Sequence, residues 1–296
     1  MHRHALTAGV ATVSGGILAA MMAISPAVAG PVAVHGITTD IVTATATVAA
    51  DSVNSAEAAC GTGELLVGGG YTVNGTLTDR QVFIDAPTNN NSWLVEVVNP
   101  SPASPSLSFS AYAICAMSVP GGTAVSAYTT NVVTTEVNAS ANDTAEADAI
   151  CPAGQLRTGG GYDVVNVDSL WSVYLNGPIS SDTWTVEIDN EEPVTTTFHS
   201  YAVCLAKKNS KPITNMAVST VFAAATAPAN STQTADVSCD PKALMTGGGH
   251  EIASIGQDWA IQASAPVSAN DWQVGVADLD SFSRDFDSIA ICLAKA

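Results

Sequence analysis

The sequence predicts an all-β protein of three tandem small antiparallel β-sandwich or barrel domains, each closed by one disulfide. Three observations carry that expectation. A template of fixed spacing is written three times, each copy holds two cysteines, and apolar residues alternate with others at period two. After the N-terminal apolar run, no segment sustains a 3.6-residue apolar period.

The chain opens MHRHALTAGVATVSGGILAAMMAISPAVAG. A basic start, an apolar run over 5–24 and small residues at Ala27 and Ala29 spell a signal peptide of residues 1–29. The run is rich in Ala, Gly, Ser and Thr and barely reaches the roughly 20 apolar residues that cross a bilayer. The expectation is therefore a secreted, extracellular chain with no membrane span after cleavage. Removing the peptide takes Arg3 and leaves eight basic residues against 27 acidic ones, a net charge of −19. Such a surface repels phosphate backbones, so neither nucleic acid nor an anionic membrane is expected as a partner.

Aligning the copies on cysteine gives spacings with almost no slippage. Eight residues separate Cys60 from Gly68, Cys151 from Gly159 and Cys239 from Gly247. Three glycines follow in each copy: Gly68, Gly69 and Gly70, then Gly159, Gly160 and Gly161, then Gly247, Gly248 and Gly249. Seventeen residues after the last glycine comes a proline (Pro87, Pro178, Pro266), and six further on a tryptophan (Trp93, Trp184, Trp272). Phe109, Phe198 and Phe286 each stand six residues before the closing cysteine, Cys115, Cys204 or Cys292. Only the stretch from Trp to Phe changes length, as a loop would. The copies run 36–118, 127–207 and 215–296, joined by short polar linkers at 119–126 and 207–214.

Each element has its own signal. A Thr/Ala/Val lead-in such as TTDIVTATATV starts the copy. The glycine strand, LLVGGGYTV in copy 1, bears no side chain on either face for three positions. In a strand, glycine marks a bulge, a bend or a close approach. Packing would lay the template Trp, or the ring at Tyr71, Tyr162 or His250, over bare backbone; the functional alternative is a groove where a ligand meets that backbone. Phosphate cradling is excluded, since no Lys-Ser/Thr follows and no helix opens there. A third strand ends at the template proline. WLVEVV, WTVEID and WQVGVA put Trp and two β-branched residues on one face. FSAYAIC, FHSYAVC and FDSIAIC are apolar on both faces and suit a strand covered on both sides.

About 80 residues bury little surface alone and benefit from a staple. Six cysteines allow fifteen pairings, and threefold recurrence selects Cys60–Cys115, Cys151–Cys204 and Cys239–Cys292. No C-x-x-C or paired histidine accompanies them, so zinc is not expected.

Candidates for chemistry are sparse. His35, His199 and His250 have no template counterparts, and no G-x-S-x-G is present. The expectation is no enzyme, no catalytic residue, no metal and no cofactor; a triad built on His199 is the weaker alternative. The acidic loops 189–193 and 278–287 could offer calcium ligands but lack EF-hand spacing, and solvated loops are the simpler reading. Lys207, Lys208 and Lys211 read as a solubilising hinge rather than a binding patch.

The phrase C-x-A/T-G-x4-G-G-G-Y, then P-x5-W-x-V, then Y-A-V/I-C resembles a module of secreted actinobacterial proteins, similar also to C-terminal heads of collagen-like and tail-fibre-like bacterial chains. The third copy departs from it at His250 and Ile289. The resemblance implies no catalytic residues, and heads of trimeric stems imply a pseudo-threefold arrangement of the copies. The five N-x-S/T sequons, at Asn74, Asn90, Asn138, Asn142 and Asn230, would be silent in such a host. The leading expectation is a secreted, non-catalytic binding protein that engages a surface glycan or protein partner through repeated domains. Alternatives are a structural component of an extracellular matrix or secreted particle and, more weakly, a hydrolase or its inhibitor.

Overall fold

Alternation becomes ladder pairing in a computed structural model that describes residues 33–75, 81–100, 102, 105–165, 171–253 and 259–296. The expected signal peptide lies outside the described residues. All three copies fall within one compact unit, Pro31–Ala296. Copy 1 comprises β1 (Ile37–Val48), β2 (Ser52–Ala59), β3 (Leu65–Asn74), β4 (Gln81–Pro87), β5 (Ser92–Asn99) and β6 (Leu107–Ser118). Copy 2 comprises β7 (Tyr128–Ala139), β8 (Asp143–Ile150), β9 (Leu156–Val164), β10 (Trp171–Pro178), β11 (Thr183–Asn190) and β12 (Thr196–Lys207). Copy 3 comprises β13 (Met216–Ala227), β14 (Ser231–Ser238), β15 (Leu244–Ile252), β16 (Trp259–Pro266), β17 (Asp271–Asp278) and β18 (Arg284–Lys295). A 3-10 turn, Ala124–Ala127, sits in the first linker.

Every copy is a two-layer antiparallel sandwich. Its first, sixth and third strands form one layer and its second, fifth and fourth the other. The chain changes layer after the first strand through a turn with Asp51, Asn142 or Asn230 at positive φ, a region these side chains tolerate. The disulfides Cys60–Cys115, Cys151–Cys204 and Cys239–Cys292 tie the layers of each copy, with Cα atoms 5.5–5.6 Å apart. These are bonds of an oxidising compartment. Among the described residues no helix is long and apolar enough to cross a membrane. Replacing both Cys151 and Cys204 with alanine, which opens a loop with sequence separation 53, is expected to lower the unfolding free energy by about 4 kcal/mol. Urea denaturation of variant and parent measures it.

Layers do not end where copies end. Three six-stranded sheets run β1-β6-β3-β16-β17-β14, β13-β18-β15-β10-β11-β8 and β2-β5-β4-β9-β12-β7. Each takes three strands from one copy and three from another, so the copies close cyclically about an approximate threefold axis. The joints are short. They pair Ser264 with Tyr71, Asp85 with Tyr162, and Asn176 with His250, each with one further residue pair.

The triple glycines explain how strands approach so closely. A bulge just before Gly68, Gly159 and Gly247 turns each glycine strand. The first glycines face one another in a ring. A Cβ on Gly68 would lie 2.3 Å from Thr246 O, on Gly159 2.7 Å from Val67 O, and on Gly247 2.9 Å from Thr158 O. The middle glycines carry the indoles of their own copies, Gly69 under Trp93, Gly160 under Trp184 and Gly248 under Trp272. The third glycines meet the joint backbones at Ser264, Asp85 and Asn176. The packing reading thus holds, and neighbouring strands and rings fill the groove that a ligand would have needed.

Candidate functional site

The template aromatics are structural. Trp93, Trp184, Trp272, Phe109, Phe198 and Phe286 are all buried, each indole between the layers of its own copy. Around the axis, however, the joints place a polar ring that the template did not disclose. Asp85, Asn176 and Ser264 occupy one equivalent position, fifteen residues after the third glycine, and all are buried. Trp93 Nε1 donates to Asp85 Oδ1 at 2.8 Å, and Trp184 Nε1 donates to Asn176 Oδ1 at 2.8 Å. Asn176 Nδ2 reaches Asp85 Oδ2 at 3.5 Å, and Tyr162 Oη donates to Val82 O at 2.8 Å. Burial raises the Asp85 carboxyl to about 7 against the pull of these donors, and raises both Tyr71 and Tyr162. Burial lowers His250 to about 4, so its ring is neutral at pH 7.

In copy 3 the serine is too short for this role. Trp272 Nε1 and Ser264 Oγ are both buried and have no partner among the described residues, and such groups cost roughly 1–3 kcal/mol. Ser264→Asn, which restores the chemistry of Asn176, is therefore expected to stabilise the protein by about 1 kcal/mol. A higher urea midpoint checks it.

His199 sits on β12 in a carboxylate cluster. Its Nδ1 meets Asp163 Oδ1 at 2.5 Å and its Nε2 meets Glu136 Oε2 at 3.2 Å, while Tyr201 Oη donates to Asp163 Oδ2. Burial pulls the imidazole down, but the hydrogen bonds and charges of Asp163 and Glu136 outweigh it and hold the pKa above the ordinary value. Both ring nitrogens meet carboxylates rather than a nucleophile, and among the described residues no serine hydroxyl is bonded to the ring. This is an ion-pair cluster on a sheet face rather than a triad.

One of the two acidic loops holds a cation of the protein's own. In 278–287, Arg284 is buried and its Nη2 donates to Asp280 Oδ2 at 3.2 Å, while its Nε stands 3.8 Å from Asp278 Oδ1. The guanidinium also lies 5.5 Å from the Phe282 ring and 6.0 Å from that of Trp259. The Arg284 guanidinium is thus the group that meets the Asp278 and Asp280 carboxylates of this loop. In 189–193 the Asn190 Nδ2 donates to the backbone carbonyls of Ala139, Ser140 and Val194 and so fixes the course of the loop. Among the described residues the one cluster with metal-ligand spacing is Cys60, Glu64 and Cys115, and both of its sulfurs are consumed in a disulfide. Arg157, where copies 1 and 3 carry Leu66 and Met245, lies buried 5.8 Å from the Trp184 ring and donates to Ser180 O at 3.1 Å. Its pKa falls to about 10 through burial, with Asp182 opposing.

Lys207, Lys208 and Lys211 differ most from the sequence expectation. Their segment is stitched down rather than hinged. Lys208 N donates to Ala127 O, Ser210 N to Lys207 O and Ile213 N to Gly154 O, all at 2.9–3.0 Å. The three lysines wall a cleft of about 290 Å³ with Thr129, Asn131 and Gln155. Sequence reasoning missed it because the backbone bonds that fold a linker onto a strand end have no residue pattern of their own.

No protein-family model and no curated protein matches the chain. Among solved structures, a crystal structure of the titin I9–I11 tandem aligns at 10% identity over 85% of this chain and 97% of that chain, with a TM-score of 0.16. A score that low does not indicate a shared fold.

Proposed function

We propose that this is a secreted, non-catalytic binding protein that engages a surface glycan or protein partner from outside its three sandwiches. The observation that carries the reading is the closed interior. Glycine backbones, three indoles and the joint strands fill the axis, so recognition takes place on the surface. The stapled layers hold that surface rigid, which lowers the ordering cost of binding. A binding role also suits a chain whose described histidine–carboxylate cluster leaves no nitrogen free as a base. Secretion is supported by the disulfides and by the cleavable apolar leader, and the acidic surface favours solubility.

Glycan arrays probed with the oxidised, labelled protein, with capture of native-surface proteins in parallel, test the reading. Reproducible binding that is lost on reduction of the disulfides is expected. Silence in both experiments overturns it.

A further inference from the structure

We infer that the cleft between the start of β7, the 151–155 turn and the 207–212 segment binds a compact anionic group, the carboxylate or sulfate of an acidic sugar. The inference rests on the binding reading above and assigns one site within it.

The charge distribution is the first argument. The chain has five lysines in all against 27 acidic residues, yet three lysines wall this one cleft and no Asp or Glu is among its described lining residues. Lys208 and Lys211 are exposed there. The ammonium of Lys207 donates to Pro212 O at 3.2 Å, which fixes that side chain against the wall. Among the described residues no carboxylate pairs with the ammonium groups of Lys208 and Lys211. Lysines in an acidic protein would ordinarily be drawn to its carboxylates, so this grouping forms a local positive well.

The second argument is construction. Gly154, at φ +83°, lies against Pro212 and keeps the turn close to the linker. Asn131 Nδ2 donates to Gln155 Oε1 at 3.3 Å. Gln155, Thr129 and Ser210 line the same cleft as the lysines, so an amide and two hydroxyl-bearing side chains stand beside the ammonium groups. A lysine well beside amides and hydroxyls matches a sugar that carries one anionic substituent. The volume is at the lower end for small-ligand pockets, about 300 Å³ and upward, and suits one or two residues of a glycan.

The third argument fixes the size of the charge. The whole surface repels a long polyanion, but salt screens that field over about 8 Å at physiological ionic strength. A single carboxylate or sulfate inside the cleft feels the lysines far more than the distant acids. The linker of copy 1, at 119–126, has no basic residue, so it does not repeat the site.

Isothermal titration of the full chain separates the sources. The probes are a uronic acid trisaccharide, its methyl ester and a neutral trisaccharide bearing one sulfate. The uronate or the sulfated sugar is expected to bind and the ester to bind at least tenfold more weakly, with affinity falling as salt rises. The Lys208→Ala/Lys211→Ala variant is expected to lose at least tenfold with unchanged Tm, Lys208→Glu/Lys211→Glu more, and the control Lys242→Ala nothing. Equal affinity for acid and ester, variant binding equal to that of the parent, or no heat with either anionic probe overturns the site. If array binding persists in the lysine variants, the site fails while the wider binding function stands; if the arrays and captures are silent as well, both fail.

Discussion

Gly160→Ala is expected to prevent the protein from reaching its native state, or to destabilise it by more than about 3 kcal/mol. Overpacking a filled core ordinarily costs about 1–3 kcal/mol, and this site lacks the features that keep the cost low. The added Cβ would stand 2.2 Å from Trp184 Cδ2 and 2.3 Å from Tyr201 O. Neither neighbour is the loose end of a flexible chain. Trp184 is fully buried and its Nε1 is held by Asn176, while Tyr201 O belongs to β12, which pairs with β9 on one side and β7 on the other. Moving the indole would break its bond to the joint with copy 3, so damage would spread from one sandwich to the next. Far-UV circular dichroism, thermal unfolding and yield of oxidised protein measure the effect. Gly121→Ala is the matched control, because among the described residues nothing beyond its chain neighbours lies within 4 Å of its Cβ position. Its cost is limited to that of a side chain at φ +80°. A Gly160→Ala protein with parental Tm would show that the indole is not seated on the glycine.

The same residues show how far the sequence could be read. The triple glycine, the tryptophan 23 residues after its last member and the two cysteines are identical or nearly so in every copy, so the sandwich, its staple and the ring over bare backbone were legible as spacing. The joints between copies were not. Each rests on two backbone pairs, and its central position carries Asp85, Asn176 or Ser264, three different side chains that an alignment on identical residues passes over. Parity offered a signal. In QVFIDAP the polar Asp85 stands where an inward strand position should be apolar, and a buried carboxyl in a strand implies a partner from elsewhere. Arg157 is a similar case, breaking an apolar template position held by Leu66 and Met245 and buried beside an indole. The lysine cleft was illegible for a different reason, since it depends on where a linker is hydrogen-bonded and not on what it contains.

Asp85→Asn is expected to stabilise the protein above pH 7 and to remove part of its pH dependence. In the native state burial holds the Asp85 carboxyl at about 7, from an ordinary value of 3.8. Between those two values the folded chain keeps a proton that the unfolded chain has lost, so stability falls as pH rises through the window. The fall is complete above about pH 7 and absent below about pH 3.8, and a shift of this size amounts to roughly 4 kcal/mol. Asparagine retains an Oδ1 acceptor for Trp93 Nε1, as Asn176 does for Trp184, and carries no charge to desolvate. The variant should match the parent near pH 4 and exceed it at pH 8 by up to that amount. Other groups titrate in the same window. Burial raises Glu96 and Asp189, and lowers His250 with the opposite slope, but these contributions are common to both proteins and cancel in the difference. Tyr71 and Tyr162, the ionisable neighbours of Asp85, are raised and remain neutral throughout. Urea unfolding at pH 4.5, 6 and 8 gives the comparison, and Asp85→Ala, which takes the acceptor from the Trp93 indole, should be destabilised relative to Asp85→Asn at all three. Parallel pH profiles for parent and Asp85→Asn would mean that the carboxyl is solvated and that the axis is not closed.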